Sequence, residues 1–352
     1  QLFLNQPALN YGYARRTRPW MMSPDSPAAL ATREAIKDVM RFWLDLGADG
    51  FRVDMAASLV KADEDSAETI KLWQDFRAFL DKEYPHCAMV SEWGVPAKSI
   101  EGGFHMDFML HFGPPAYTSL FRSEHPFFSR EGKGNIRIFL DAYLSDLSST
   151  QEKGLICIPS GNHDMPRLAR GRDVRDLKIC IAFLLTMAGA PFIYYGDEIG
   201  MRYLEGLTSV EGGYDRTGSR SPMQWEKKEG FGFTSAKTSY IPFDKSEDAP
   251  SVEEQSVNSD SLLAAVKELL ALRAAHKALQ SFGEFVPVFA QKERYPFAYE
   301  RRAAGERILV VLNPADREEC AAFDCSGKVL WSVGGVPEDG KIPARSACVI
   351  AK

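Results

Sequence analysis

The 352-residue sequence has no run of about 20 consecutive apolar residues, the length a helix needs to cross a bilayer. A membrane is therefore not expected among its partners. It has no long basic block either. Lys and Arg number 42 against 48 Asp and Glu, for a net charge of -6. The short cluster Arg15-Arg16-Thr17-Arg18 reads as a solvated loop, so nucleic acid is not an expected partner. The six cysteines (Cys87, Cys157, Cys180, Cys320, Cys325 and Cys348) form no CxxC pair. Cys87, Cys157 and Cys180 fall in apolar runs and read as small buried hydrophobes. Without a disulfide framework a reducing compartment is favoured, and the expected location is the cytoplasm. No signal peptide is visible, although the sequence opens at Gln1 rather than Met. There is no Asp/Asn-rich calcium loop, and neither a metal nor any other cofactor is expected.

What remains is an ordinary globular composition, 45% hydrophobic and 26% charged. The length suggests one large domain and one small one. Residues 1–27 are rich in Asn, Pro, Arg and aromatics, without a period, and read as a loop. From there, helical and strand-like stretches alternate. Apolar residues recur at helical spacing over 27–46, 66–83, 135–147 and 173–188. Short apolar runs over 51–54, 87–92, 104–110, 155–159 and 191–195 read as strands. Such alternation implies parallel βα units. A long loop runs from there to about residue 260. It carries Gly212-Gly213-Tyr214 and Arg220-Ser221-Pro222-Met223-Gln224-Trp225. A helix over 261–276 follows. Beyond residue 282 the pattern changes to short alternating strands, 284–290, 297–302, 307–312, 329–333 and 347–351, as in a small antiparallel β domain.

Three strands end in acids. The run Gly50-Phe51-Arg52-Val53-Asp54 places Arg52 and Asp54 on one face of a strand. Ser91-Glu92-Trp93 and Asn162-His163-Asp164 follow the second and fourth strands. In a (β/α)₈ barrel the C-terminal strand ends hold the active site. Each residue alone admits a plainer reading. Arg52 and Asp54 could be a structural ion pair, Glu92 a helix-start acid, His163 a hydrogen-bonded structural residue and Asp164 a helix N-cap. Trp93, Trp225 and Phe231 suit either sugar stacking or packing. His105 and His111 read as packed, and Asp197-Glu198 as structural turn residues.

Taken in order, these three motifs, together with Tyr194-Tyr195-Gly196-Asp197-Glu198-Ile199-Gly200-Met201 and Ser221-Pro222-Met223-Gln224-Trp225, resemble glycoside hydrolase family 13, the α-amylase superfamily. The last segment is similar to that of its α-glucosidase, oligo-1,6-glucosidase and trehalose-synthase branches. The resemblance implies that Asp54 is the catalytic nucleophile, Glu92 the general acid/base and Asp164 the transition-state stabiliser. It implies that Arg52 orients Asp54, that His163 binds the sugar and that Arg167 reaches the substrate. Retaining hydrolysis asks independently for one ionised and one protonated carboxyl. A cation beside Asp54 and an apolar setting for Glu92 would supply them.

The expected activity is cleavage of α-1,4 or α-1,6 glucosidic bonds in malto- or isomalto-oligosaccharides through a glycosyl–Asp54 ester. The alternatives are a transglycosylase or isomerase such as a trehalose synthase, and a non-catalytic carbohydrate-binding member. The family's barrel has eight strands, and five are legible here. Its Asp–Asn–His motif on an earlier strand has no match. The expected fold is therefore α/β: the second half of a (β/α)₈ barrel over 1–281 and a C-terminal antiparallel β-sandwich over 282–352. The same departure suggests a piece of a longer enzyme.

Overall fold

A computed structural model describes residues 7–150, 153–209 and 216–352. Residues 1–6, at the start of the opening loop, and Gly212-Gly213-Tyr214 lie outside them. The elements are α1 (Pro27–Asp45), β1 (Gly50–Val53), α2 (Ala67–Glu83), β2 (Ala88–Ser91), α3 (Pro96–Glu101), β3 (Met106–Phe108), α4 (Thr118–Phe121) and α5 (Ile136–Thr150). Then come β4 (Leu155–Pro159), α6 (Val174–Thr186), β5 (Ala190–Phe192), α7 (Val252–Ser256) and α8 (Leu262–Ala275). The remaining strands are β6 (Glu284–Phe289), β7 (Phe297–Ala303), β8 (Glu306–Asn313), β9 (Glu319–Cys320), β10 (Lys328–Val333), β11 (Lys341–Ile342) and β12 (Ser346–Ala351). The chain divides into two compact units. One runs up to Leu110 and takes in Leu144–Cys157. The other comprises His111–Tyr143 and Ile158–Lys352.

In the first unit β1, β2, β3 and the start of β4 pair in parallel, in that order. A Cβ on Gly50 would meet the Ala88 carbonyl oxygen at 2.0 Å, so the close approach of β1 to β2 requires glycine there. Ser26 caps α1 by accepting from the Ala29 N–H, with Pro27 at the first helical position. The core gathers Trp73, Phe76, Phe79 and Leu80 of α2 with Met89, Trp93 and Phe104. Trp73 also donates its indole N–H to the Ala56 carbonyl at 3.0 Å, so its polar atom is satisfied inside the core. By contrast Val39, Phe42 and Trp43 of α1, and Leu46 just after it, are exposed.

In the second unit the end of β4 meets β5, where the Ser160 N–H donates to Phe192 O at 2.8 Å. Helix α6 is buried along nearly its whole length. Asp173 and Asp176 form a reciprocal capping box at its start. After α8 comes an antiparallel sheet in the order β10-β12-β8-β7-β6, with a separate pair β11-β9. Their facing sides bury Phe289, Leu309, Val311, Ile342 and Ile350 together, as a two-layer β domain should.

The strands and long helices expected from the pattern are present to within a few residues. The long loop differs: it contains α7, capped by Ser251 accepting from the Glu254 N–H, and short 3₁₀ turns. The fifth strand is shorter than expected. Tyr194 leaves the ladder, giving its N–H to the Ser160 hydroxyl at 2.9 Å and accepting from Asp197 N–H at 3.0 Å.

Candidate active site

At the end of β1, Arg52 Nη1 lies 2.6 Å from Asp54 Oδ1, and Nη2 lies 2.9 Å from Glu92 Oε2. One guanidinium thus joins two carboxylates from adjacent strand ends, a geometry its planar fork suits. The two carboxylates differ in solvent access: the Asp54 side chain is 72% exposed and that of Glu92 12%. Burial raises the Glu92 carboxyl above the usual range; Arg52 and the Met55 N–H oppose the shift, and the Asp54 charge adds to it. Met55 adopts a left-handed backbone (φ 49) that turns its N–H onto Glu92 Oε2 at 3.2 Å. For a non-glycine residue that turn costs on the order of 1–3 kcal/mol.

Glu92 is held from behind by a residue the sequence reading passed over. Asp107, fully buried on β3, accepts from the Ser91 hydroxyl at 2.7 Å, Trp93 N–H at 3.0 Å and Gly94 N–H at 3.3 Å. All three donors flank Glu92. A carboxylate in the apolar run from Phe104 to Leu110 was the signal available. Trp93 is buried in the core rather than presented as a platform. His105 accepts the Met89 N–H on Nδ1, as a packed residue would.

The second unit carries Asp164. Asn162 Oδ1 accepts the Asp164 N–H at 2.8 Å, fixing the turn after β4. No helix starts there, so Asp164 is not an N-cap. Arg216 Nη1 and Arg220 Nη2 reach Asp164 Oδ1 at 2.8 and 2.9 Å, and His163 Nε2 lies 3.4 Å from Oδ2. Burial works against ionisation, but His163 and the two guanidiniums outweigh it and hold the Asp164 carboxyl below its ordinary range. The two arginines come from the long loop, and sequence reasoning missed them. Nothing in local spacing ties positions 216 and 220 to 164; the only cue was basic residues in an unusually long loop. His111, next to the same turn, faces the Asn162 amide at 3.2 Å. Burial lowers its proton affinity despite the nearby Asp164 charge.

Arg167, expected to reach a sugar, is enclosed, with no side-chain exposure. It donates to Tyr195 O at 2.7 Å, lies 3.5 Å from Asp197 Oδ1, and stacks 4.9 and 4.7 Å from the Tyr194 and Tyr195 rings. As placed, it braces the end of β5. Asp197 is correspondingly buried and accepts from the Ser160 hydroxyl at 2.6 Å. Among the described residues, no group of three or more His, Cys, Asp or Glu is placed to hold a metal ion. Among the described residues, no helix is long and apolar enough to cross a membrane either.

The family model described as alpha amylase, catalytic domain, matches residues 28–281. Trehalose synthase of Thermus thermophilus is 29% identical over 341 residues, covering 82% of this chain and 33% of that protein. Oligo-1,6-glucosidase of Parageobacillus thermoglucosidasius is 26% identical over 343 residues, covering 81% and 60%. The chain thus spans a third of the length of the first of these relatives and 60% of the second. The crystal structure of trehalulose synthase MutB from Pseudomonas mesoacidophila MX-45 superposes with a TM-score of 0.75 at 18% identity, over 94% of this chain and 71% of that one. At that identity the likeness speaks for the fold: the parallel βα units are those of a partial (β/α)₈ barrel followed by an antiparallel β domain. The chain belongs to the alpha-amylase catalytic-domain family.

Proposed function

We propose that the chain carries the catalytic residues of a retaining glycosidase acting on α-glucosidic bonds of malto- or isomalto-oligosaccharides. The observation that carries this reading is Arg52 bridging an exposed Asp54 and a buried Glu92 whose proton affinity is raised. Glu92 donates its proton to the glycosidic oxygen as that bond breaks. Asp54 attacks the anomeric carbon and forms a glycosyl ester. Water then gives a proton to Glu92 while its oxygen displaces Asp54, releasing the sugar with its anomeric configuration retained. Asp164, ionised by its cations, binds sugar hydroxyls and stabilises positive charge at the ring. His163 adds a further donor.

One guanidinium ties Asp54 to Glu92 from the adjacent strand end, and a retaining pair works at close range, its carboxyls about 5–5.5 Å apart. On the same reading residues 1–281 form the catalytic portion and 282–352 a separate β domain. The family match ending at residue 281 supports that boundary.

A second reading has its own support in the trehalose synthase relative. An isomerase or transglycosylase would form the same ester but pass the sugar to another hydroxyl instead of water. Product analysis on maltose, isomaltose, sucrose and trehalose separates the two. Glucose from maltose or isomaltose supports the hydrolase. An isomeric disaccharide without net glucose overturns it in favour of the transferase. No conversion by folded protein overturns both.

A further inference from the structure

One side-chain amide holds the turn that carries Asp164, and a histidine holds that amide. Asn162 Oδ1 accepts the Asp164 N–H at 2.8 Å, while Asn162 Nδ2 lies 3.2 Å from His111 Nδ1. His111 belongs to the same compact unit as the turn. Its ring is half-buried and set edge-on against Phe112, with centroids 5.1 Å apart.

The pattern of donors fixes the state of this ring. A backbone N–H only donates, so the Asn162 atom that meets the Asp164 N–H is the oxygen, and the amide NH₂ is the group that faces His111. An amide NH₂ also only donates, so Nδ1 accepts and carries no proton. The proton of the neutral ring then sits on Nε2. An imidazolium would set two donors against each other, and the Asn162 amide would have to turn away from Asp164. The surroundings favour the neutral ring. The charged and titratable groups facing it are Asp164, which favours a proton, and Arg122 and His163, which oppose one; burial opposes it most strongly.

We propose that His111, neutral and bare at Nδ1, is a positioning residue for Asp164, acting through the Asn162 amide. The catalytic consequence rests on the glycosidase reading above; the hold on the turn does not. A residue that merely filled space could be replaced by any side chain of its size. This one demands an acceptor where Nδ1 stands. The amide oxygen of an Asn reaches about that place, that of a Gln reaches nearer the place of Nε2, and Leu offers no acceptor.

The test combines nitrogen NMR of the imidazoles in the full chain with kinetics on maltose. Near neutral pH the His111 Nδ1 resonance should be that of an unprotonated nitrogen; a protonated Nδ1 overturns the proposal. His111→Leu should speed exchange of the Asp164 amide hydrogen and lower kcat/KM roughly tenfold, as a small misplacement of a catalytic group does. His111→Asn should recover most of both, and His111→Gln little of either. Exchange and kcat/KM unchanged in His111→Leu, or rescue by Gln as complete as by Asn, overturns the proposal. Thermal midpoints show which variants are folded, and the wild-type resonance decides the case where His111→Leu is not. The two readings fail separately. A chain that turns over no maltose but needs His111 to protect the Asp164 amide sinks the glycosidase and keeps the hold on the turn. Equal cleavage by wild type and folded His111→Leu does the reverse.

Discussion

Glu92 and Asp164 are both largely shielded carboxylates at strand ends, yet their environments push them in opposite directions. Glu92 shares a single guanidinium with a second acid, and burial prevails: its proton affinity rises. Asp164 faces burial too, but two guanidiniums and an imidazole answer it, and its proton affinity falls. Burial alone therefore decides neither. On the proposed assignment, the number of cations per carboxyl is what separates the proton donor from the anion. An acid/base and an electrostatic stabiliser need that difference.

The strongest way to break the contrast is to remove the titrating group. Glu92→Gln keeps shape and hydrogen bonding but cannot give up a proton to a leaving group. Turnover of maltose should fall by about 10²–10⁴, the usual worth of general acid–base catalysis. Asp54→Asn should cost as much or more, because no ester can form. An Asn or Gln variant with wild-type turnover would end the assignment of that residue.

The next test strips cations from Asp164. Arg220→Ala leaves Arg216 and His163 in place, so a partial loss is expected, roughly tenfold in kcat/KM or about 1.4 kcal/mol. The pH profile is the sharper readout. Asp164 must be ionised, and its cations extend activity toward low pH. With one cation gone, the acid limb should move to higher pH while the alkaline limb, set by Glu92, stays. A profile that moves at both ends or at neither would show that the two acids are not tuned separately.

These residues were not equally legible in the sequence. Asp54 and Glu92 directly follow apolar runs, and His163 and Asp164 lie a few residues beyond another; their places at strand ends are visible from the pattern, whereas their roles came only from the family resemblance. The strands themselves were placed to within a few residues because the apolar runs are bounded by glycine and proline. Arg216 and Arg220 approach Asp164 from more than fifty residues away, through a loop with no periodic signal. The same loop hid α7, whose cap at Ser251 is a single local hydrogen bond. Arg167 is a related case. Its place after Asp164 suggested a substrate contact, whereas in the fold its Nη1 is taken by Tyr195 O and Asp197, its plane lies over two tyrosine rings, and Nε and Nη2 are buried without a partner. Position in a motif says which residues are near a site, and only packing says which way they face.

Asp107 tests how far Glu92, as the proposed acid/base, depends on its support. Its Oδ1 holds three donors around Glu92 and none of the reacting atoms. Asp107→Ala orphans buried donors and should cost on the order of 2–3 kcal/mol of stability. Turnover should drop about tenfold through kcat, with KM nearly constant, since no sugar contact is lost. Asp107→Asn keeps an acceptor oxygen and should recover most of kcat. Equal loss in both variants, or a loss confined to KM, would remove Asp107 from a positioning role.

The smallest effect extends the same logic to an acid with no cation at all. Asp146, on α5 in the first unit, is raised to about 6, first by burial and then by the charge of Asp107. An unfolded aspartate titrates near about 3.9. The folded state therefore holds the proton more tightly, and the stability this brings is present below about pH 4 and is lost as pH rises through about 6. Asp146→Asn is neutral at every pH and never incurs that loss. Its melting temperature should match the wild type near pH 4 and exceed it by a few degrees near pH 8, roughly the shift that 1 kcal/mol produces. The group is partly exposed, which keeps the effect small. A gap that is the same at both pH values would mean that Asp146 titrates as an ordinary surface acid, and that a cation is not what it lacks.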